Sequence, residues 1–276
     1  MDVPPSQIIN PANFQELFSG WDRFPDADLF AGGTNLPGSR ENNIHNLPPV
    51  FICLDQLDEL HHITRTEHYL EIGSMVKLNR LVNLGKTVPK VLRTCIENIA
   101  WFQVRNISTI GGNICSNPLR DIPAPLTALE AQYELRNANT TRWVSAFRFH
   151  STDEMTTLNN QEILTRIRLP LHHWNYEVYK KFHTQDRQNT QALVFMAKTQ
   201  KNILSEIRII CKTCAIFRNK SAEDILNGKL LPLSQKTTDE FVQNWKKFLI
   251  YKQELSEFSR NYLFNGILEN IYKLSE

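Results

Sequence analysis

Leu29-Phe30-Ala31-Gly32-Gly33-Thr34-Asn35-Leu36 and Gln103-Val104-Arg105-Asn106-Ile107-Ser108-Thr109-Ile110-Gly111-Gly112-Asn113-Ile114 are the two stretches whose reading decides the fold. Each reaches a Gly-Gly pair from an apolar run and leaves it through an amide side chain. The chain has ten glycines, and these are its only Gly-Gly dipeptides, so four of the ten are spent here. Glycine passes through positive φ without steric cost, so consecutive peptide N–H groups can turn into one concavity and hold an anion. Two such cups suit a diphosphate gripped from both sides, which points to a dinucleotide cofactor. The plainer reading is a pair of tight turns with no ligand, since Gly-Gly is common turn punctuation. Neither stretch fits G-x-G-x-x-G or the phosphate loop ending in Lys-Ser/Thr, which excludes a Rossmann or P-loop assignment.

Outward from these stretches the chain reads as α+β. Asn10-Pro11 with Phe14, Leu17 and Phe18 predicts a helix ending at Gly20. Asp28 to Ala31 and Pro49 to Leu54 read as buried strands, and Ile63 to Ile72 as a hairpin. Met75 to Val82 and Val88 to Ala100 carry helical spacing. After the second Gly-Gly pair, Pro123 to Ala131 reads as a helix and Gln132 to Arg136 as a strand. Glu162 to Leu169 alternates, with Ile163, Thr165, Ile167 and Leu169 on one side, and stops at Pro170. Beyond it, Glu177 to Phe182, Ala192 to Ala197 and Leu204 to Ile210 predict three strands. Ala222 to Leu226 and Thr238 to the end read as helical.

Composition narrows the class. The 276 residues are 41% hydrophobic and 22% charged, with a formal net charge of +2. That is ordinary for a folded chain able to bury more than one core. No dense Lys/Arg stripe marks a nucleic-acid surface, and no apolar run approaches a membrane span. Met1-Asp2-Val3-Pro4-Pro5 lacks the layout of a secretory signal. The five scattered cysteines fit reduced thiols, and the expectation is a cytoplasmic protein. Cys211-Lys212-Thr213-Cys214 has no second C-x-x-C to complete a zinc site, and no metal is expected. No catalytic serine or cysteine triad stands out, so no catalytic residue is assigned.

The second stretch, continuing into Pro118, Asp121, Pro125 and Ala128-Leu129-Glu130-Ala131, closely resembles the flavin subunits and domains of molybdenum hydroxylases. That group includes xanthine dehydrogenase, aldehyde oxidoreductases and the medium subunit of carbon monoxide dehydrogenase. Ala31 to Leu36 resembles the same family's first flavin loop, where an Asp is usual in place of Asn35. Gln161 to Ile167 with Pro170, Tyr179 with Lys181, and Arg218, Glu223 and Leu226-Asn227-Gly228 extend the likeness over nearly the whole chain.

The resemblance implies the two-subdomain FAD-binding fold of vanillyl-alcohol oxidase and para-cresol methylhydroxylase over residues 1–170, with subdomains of about 1–54 and 55–170. A C-terminal lobe, 171–276, would carry a three-stranded antiparallel sheet with helices. It implies that Leu29, Phe30, Ala31, Gly32, Gly33, Thr34, Asn35 and Leu36 wrap the diphosphate of FAD, with Thr109, Ile110, Gly111, Gly112 and Asn113 as the opposing cup. Asp121 would accept a hydrogen bond from the adenosine end; its other reading is an acid at the start of the helix at Pro123. Ile99 would sit beside the flavin ring, with Leu164 and Lys181 near the isoalloxazine. The function implied is that of an FAD subunit taking electrons from a separate iron–sulfur subunit, while a molybdenum-cofactor large subunit oxidises the substrate. It would pass the electrons to NAD+ or another acceptor. A free-standing flavoprotein oxidoreductase of this fold and a flavin-less scaffold subunit are the rival readings. Three segments depart from the family pattern: Pro37-Gly38-Ser39-Arg40-Glu41, Trp101-Phe102, and the polar run Asp186 to Gln191.

Overall fold

The structure is a computed structural model that describes residues 7–34, 48–116, 119–150, 158–183, 190–252 and 255–275. Asn35, Leu36, the Pro37–Glu41 segment, Pro118 and the run from Asp186 to Asn189 lie outside the described residues.

The first unit is a small parallel sheet with one helix. Strands β1 (Gln7–Ile9), β2 (Asp28–Phe30) and β3 (Val50–Cys53) pair in the order β1-β3-β2. Helix α1 (Phe14–Arg23) covers this sheet with Phe14, Leu17 and Phe18. It starts later than Asn10-Pro11 suggests. The Asn13 side chain accepts from Glu16 N–H at 2.9 Å, and the Glu16 carboxylate accepts from Ala12 N–H, so the cap sits three residues on. Gly20 lies inside the helix, its carbonyl taking Phe24 N–H at 3.0 Å.

The second unit is an antiparallel sheet of β4 (Ile63–Arg65), β5 (Tyr69–Gly73), β6 (Gln132–Arg136), β7 (Thr141–Ser145) and β8 (Ile163–Pro170), ordered β4-β5-β8-β6-β7. Among the described residues, six short α-helices accompany it: α2 (Leu78–Asn83), α3 (Lys90–Glu97), α4 (Phe102–Ile107), α5 (Ile110–Ile114), α6 (Pro123–Ala128) and α7 (Ala146–His150). The expected alternation of β8 breaks at one place. Leu135 pairs with Leu164 and Glu134 with Arg166, so Thr165 is an extra, bulged residue whose hydroxyl donates to the Glu134 carbonyl and carboxylate. A bulge swaps the face of everything beyond it. Leu164 therefore joins Ile167 and Leu169 in the main core, while Ile163 packs with α1 and β3.

The third unit holds the three long strands expected: β9 (Tyr176–His183), β10 (Thr190–Gln200) and β11 (Ile203–Lys212). Short strands β12 (Ile216–Arg218) and β13 (Lys229–Leu230) add to β11. Helices α8 (Lys220–Leu226), α9 (Gln235–Tyr251) and α10 (Glu257–Ser275) pack on one face, against Leu193, Phe195 and Ala197. Ala192, Val194 and Met196 face the other way and enter the same core as α3 and α6. Burial on both faces is why β10 reads as an unbroken apolar run and not as an alternating one.

Two polar clamps fix this sheet to the helices that carry the site. The Glu177 carboxylate accepts Val91 N–H at 2.9 Å, in the first turn of α3. The Arg208 guanidinium, 4% exposed, donates to the Ala128 carbonyl at the end of α6 at 2.7 Å and lies over the Trp174 ring.

Candidate cofactor site

The two Gly-Gly stretches meet. A β-carbon on Gly32 would lie 2.2 Å from the Ile107 carbonyl oxygen and 3.1 Å from Ser108 Cα, so these backbones touch and only glycine fits. Ser108 Oγ donates to Thr34 Oγ1 at 3.3 Å across the seam. Between the stretches opens a cleft of about 820 Å3, within the usual range for a cofactor pocket.

The two sides are built differently. Gly33 has φ +66°, and its turn folds back over the Phe30 ring, 2.9 Å from where a β-carbon would stand. Among the described residues no protein acceptor takes the N–H groups of Gly32, Gly33 or Thr34. The amides of this turn are unspent among the described residues, and those of the second stretch are not. Its glycines have no positive φ and lie in α5. Ile110 N–H donates to Val76 O at 3.0 Å, Gly111 N–H to Ser74 O at 2.8 Å, Gly112 N–H to Thr109 Oγ1 at 3.0 Å and Asn113 N–H to Thr109 O at 3.1 Å. The amides are committed, so this side is no second amide cup. Its glycines serve close approach: a β-carbon on Gly111 would stand 2.7 Å from Ser74 Cβ. What it turns to the cleft is polar side chains, chiefly the Thr109 hydroxyl, whose oxygen is held by Gly112 and whose proton is free to donate.

Of the residues named from sequence, Leu29 to Thr34, Ile99, Thr109, Gly111, Gly112, Asn113, Asp121, Leu164 and Lys181 line this one cleft. Ile110 does not; its side chain is fully buried in the core, anchoring α5. Ile99 follows α3 and is held by Arg105, whose guanidinium donates to the carbonyls of Glu97, Ile99 and Ala100 at 3.1, 3.1 and 2.9 Å. Leu164 arrives through the β8 bulge. The Asn113 side-chain carbonyl accepts Ile122 N–H at 3.1 Å and so ties α5 to the chain just before α6.

Asp121 is regrouped by the structure. Its Oδ2 accepts from Lys181 Nζ at 2.9 Å and its Oδ1 from Thr190 Oγ1 at 3.0 Å. Lys181 Nζ also donates to Asn98 O at 3.3 Å, next to Ile99. Asp121 therefore stands at the same end of the cleft as Lys181 and Ile99, not apart from them as the resemblance implies. Nor is it a helix cap: its carboxylate is spent on these two donors, and α6 starts without a side-chain cap.

Sequence reasoning missed Ser74, Ser108, Leu119, Glu162 and Thr190, which also line the cleft. Three of them left a trace: Ser108 stands in the second quoted stretch, Glu162 opens the strand expected up to Leu169, and Thr190 belongs to the unusually polar run ending at Gln191. Glu162 is locked to Arg142 by two 2.7 Å contacts, and that guanidinium holds its carboxyl below the usual range. The thiol of Cys115, also on the wall, is pushed up to about 12 by burial and stays protonated. Cys211 is buried and Cys214 exposed, so the C-x-x-C thiols lie in different environments.

These residues fit an FAD: open amides on a positive-φ glycine turn, hydroxyls opposite, apolar Ile99 and Leu164, and a lysine–aspartate pair at one end. Comparison with known proteins agrees. Residues 4–172, more than half of the chain, match the family described as FAD binding domain in molybdopterin dehydrogenase. The carbon monoxide dehydrogenase medium chain of Hydrogenophaga pseudoflava is 32% identical over 213 residues, 74% of this chain and 73% of that one. Xanthine dehydrogenase 2 of Arabidopsis thaliana is 28% identical over 266 residues, 87% of this chain but only 18% of that protein; this chain spans about a fifth of the plant enzymes it matches. A solved carbon monoxide dehydrogenase from Hydrogenophaga pseudoflava superposes with a TM-score of 0.79 at 24% identity, covering 99% of this chain and 96% of that one. Quinoline 2-oxidoreductase from Pseudomonas putida 86 does so with 0.78 at 20% identity, covering both chains fully. With the glycine seam and most of the cleft's lining inside the stretch that the family match covers, the chain belongs to the FAD-binding domain family of molybdopterin dehydrogenases.

Proposed function

We propose that this chain is the FAD-carrying electron-transfer subunit of a multi-subunit molybdenum hydroxylase of the xanthine dehydrogenase and carbon monoxide dehydrogenase type. A separate iron–sulfur subunit supplies electrons, a molybdenum-cofactor subunit oxidises the substrate, and NAD+ or another acceptor takes the electrons away. The observation that carries this reading is the convergence of Gly32–Thr34, Ser108, Thr109, Ile99, Leu164 and the Asp121–Lys181 pair on one cleft. When bound, FAD supplies chemistry that accepts single electrons and releases pairs. The chain's own part is to hold it: Gly32 to Thr34 take the diphosphate with Thr109, and Ile99 and Leu164 keep water from the ring. Lys181, oriented by Asp121, presents a cation to the electron-rich edge of the ring.

Two features support the assembly reading. Relatives named as medium chains or medium subunits, including the nicotine 6-hydroxylase medium subunit of Paenarthrobacter nicotinovorans, match over most of their own length, 83% in that case. The five cysteines are free, which suits a reducing compartment such as the cytoplasm. The division into 1–54, 55–170 and 171–276 is supported by three sheets that fall within those limits.

Purifying the chain and recording its visible spectrum tests the core of this. The expected result is a yellow protein absorbing near roughly 450 nm, inert by itself toward purines and aldehydes, that co-purifies with an iron–sulfur chain and a molybdenum-cofactor chain. A folded, colourless protein that ignores added FAD overturns the reading.

A further inference from the structure

Behind the Asp121–Lys181 pair stands a second lysine that the reading above does not use. Lys212, at the end of β11, is 1% exposed. Its Nζ donates to the Thr190 carbonyl at 2.7 Å and to Thr190 Oγ1 at 3.0 Å. The same Thr190 hydroxyl donates to Asp121 Oδ1 at 3.0 Å, and Asp121 Oδ2 takes Lys181 Nζ at 2.9 Å. Thr190, Asp121 and Lys181 line the cleft, so Lys212 forms the layer beneath its wall. A lysine this buried is rare unless paired with a carboxylate. Among the described residues its hydrogen bonds go to Thr190, and Asp121, the carboxylate that acts on it, is shared with Lys181.

We propose that Lys212 is a positioning residue for this end of the cleft: it locks Thr190 and Asp121 in place and adds a second positive charge beneath the wall, so that the site favours an anionic flavin over a neutral one. The inference rests on the FAD reading and deepens it. Lys212 adds positive charge to the Asp121–Lys181 pair, in a setting of low dielectric where it is poorly screened. Burial pushes the Lys212 pKa down to about 8, while the charge of Asp121 opposes that fall. The other groups that act on Lys212 are Lys181 on β9, Arg120 in the segment before α6, and Cys95 on α3. Cys95 is a thiol held protonated by burial, and Tyr179 on β9 lies beside it. An anion in the cleft raises the Lys212 pKa, and loss of its proton above about pH 9 removes the preference.

The test uses the FAD-loaded chain. The flavin midpoint potential is measured by dye equilibration from pH 6 to pH 10 in wild type and Lys212→Met, and the affinity of each apoprotein for oxidised FAD is measured by titration. In the variant, the preference for reduced over oxidised flavin is expected to fall about tenfold at pH 7, which is ~30 mV for a two-electron couple. Binding of oxidised FAD should change by less than about threefold, and the two potential curves should converge above about pH 9. A Lys212→Met potential that overlays wild type at every pH overturns the inference while leaving the FAD reading intact. Failure of wild type to take FAD overturns the reading itself. Should Lys212→Met not fold, Thr190→Val decides, because it keeps the side-chain shape and removes the hydroxyl link; an unchanged potential there counts against the proposal.

Discussion

Replacing Gly32 with alanine drives a wedge into the seam on which the whole cleft depends. The added β-carbon would meet the Ile107 carbonyl oxygen at 2.2 Å and its carbon at 2.9 Å. Both are backbone atoms and cannot rotate away. Restoring ordinary contact at 3.4 Å needs the two stretches to part by about 1.2 Å. Overpacking of this kind costs about 1–3 kcal/mol of stability. The consequence for binding is larger. The Ser108–Thr34 contact, already 3.3 Å, moves out of hydrogen-bond range, and the Gly32–Thr34 amides no longer face the Thr109 hydroxyl. Losing two hydrogen bonds to a charged diphosphate, at about 1.5–3 kcal/mol each, weakens FAD by at least about 100-fold. Quenching of flavin fluorescence on titrating apoprotein reads this directly, with thermal unfolding recorded in parallel. Gly85→Ala is the control: its φ is +57°, yet nothing lies within 4 Å of the new carbon, so it costs about 1–2 kcal/mol and leaves the FAD affinity untouched. A Gly32→Ala protein that binds FAD as wild type does, at wild-type Tm, would refute the seam as the organiser of the site.

Thr109→Val removes the oxygen that holds Gly112 N–H, costing about 1 kcal/mol of stability and weakening FAD about tenfold; Thr109→Ser restores both, and equal affinities in valine and serine variants would contradict the role of the hydroxyl. His150, buried against Tyr133 Oη at 3.3 Å, has its pKa held down to about 3 by burial. The unfolded chain therefore binds the extra proton first, so this contribution is complete above about pH 6.5 and is lost as pH falls toward 3, up to about 5 kcal/mol in all. Near-UV circular dichroism during acid titration should show a later transition for His150→Gln than for wild type, and coincident curves would count against the burial argument.

Local sequence carried much of the architecture because it reports φ/ψ preference and one-sided burial. The strand at Gln132 to Arg136, the hairpin at Ile63 to Ile72 and the buried face of α1 all follow from spacing that a single element imposes on itself. It also drew notice to residues of the cleft: the thirteen positions named in the two stretches include four glycines, of which Gly32 and Gly111 sit at backbone contacts that exclude a side chain, while Ile110 turns into the core and Asn35 and Leu36 lie outside the described residues. What it misread was the work those glycines do. Gly-Gly punctuation looks the same whether it makes a positive-φ turn, as at Gly33, or the first turn of a helix pressed against Ser74, as at Gly111. The β8 bulge was equally hidden, because the extra residue is visible only against the partner strand.

Composition and motif, taken alone, determined that this chain folds as α+β, carries two Gly-Gly pairs, and resembles the flavin domains of molybdenum hydroxylases. Tertiary structure alone decided that Asp121 serves Lys181 and Thr190, and that a buried Lys212 stands behind them. Those contacts join residues 60, 69 and 22 positions apart. Periodicity over one helix or strand carries no record of them, since which charge faces which is set by how β9, β10 and β11 pack on α3 and α6.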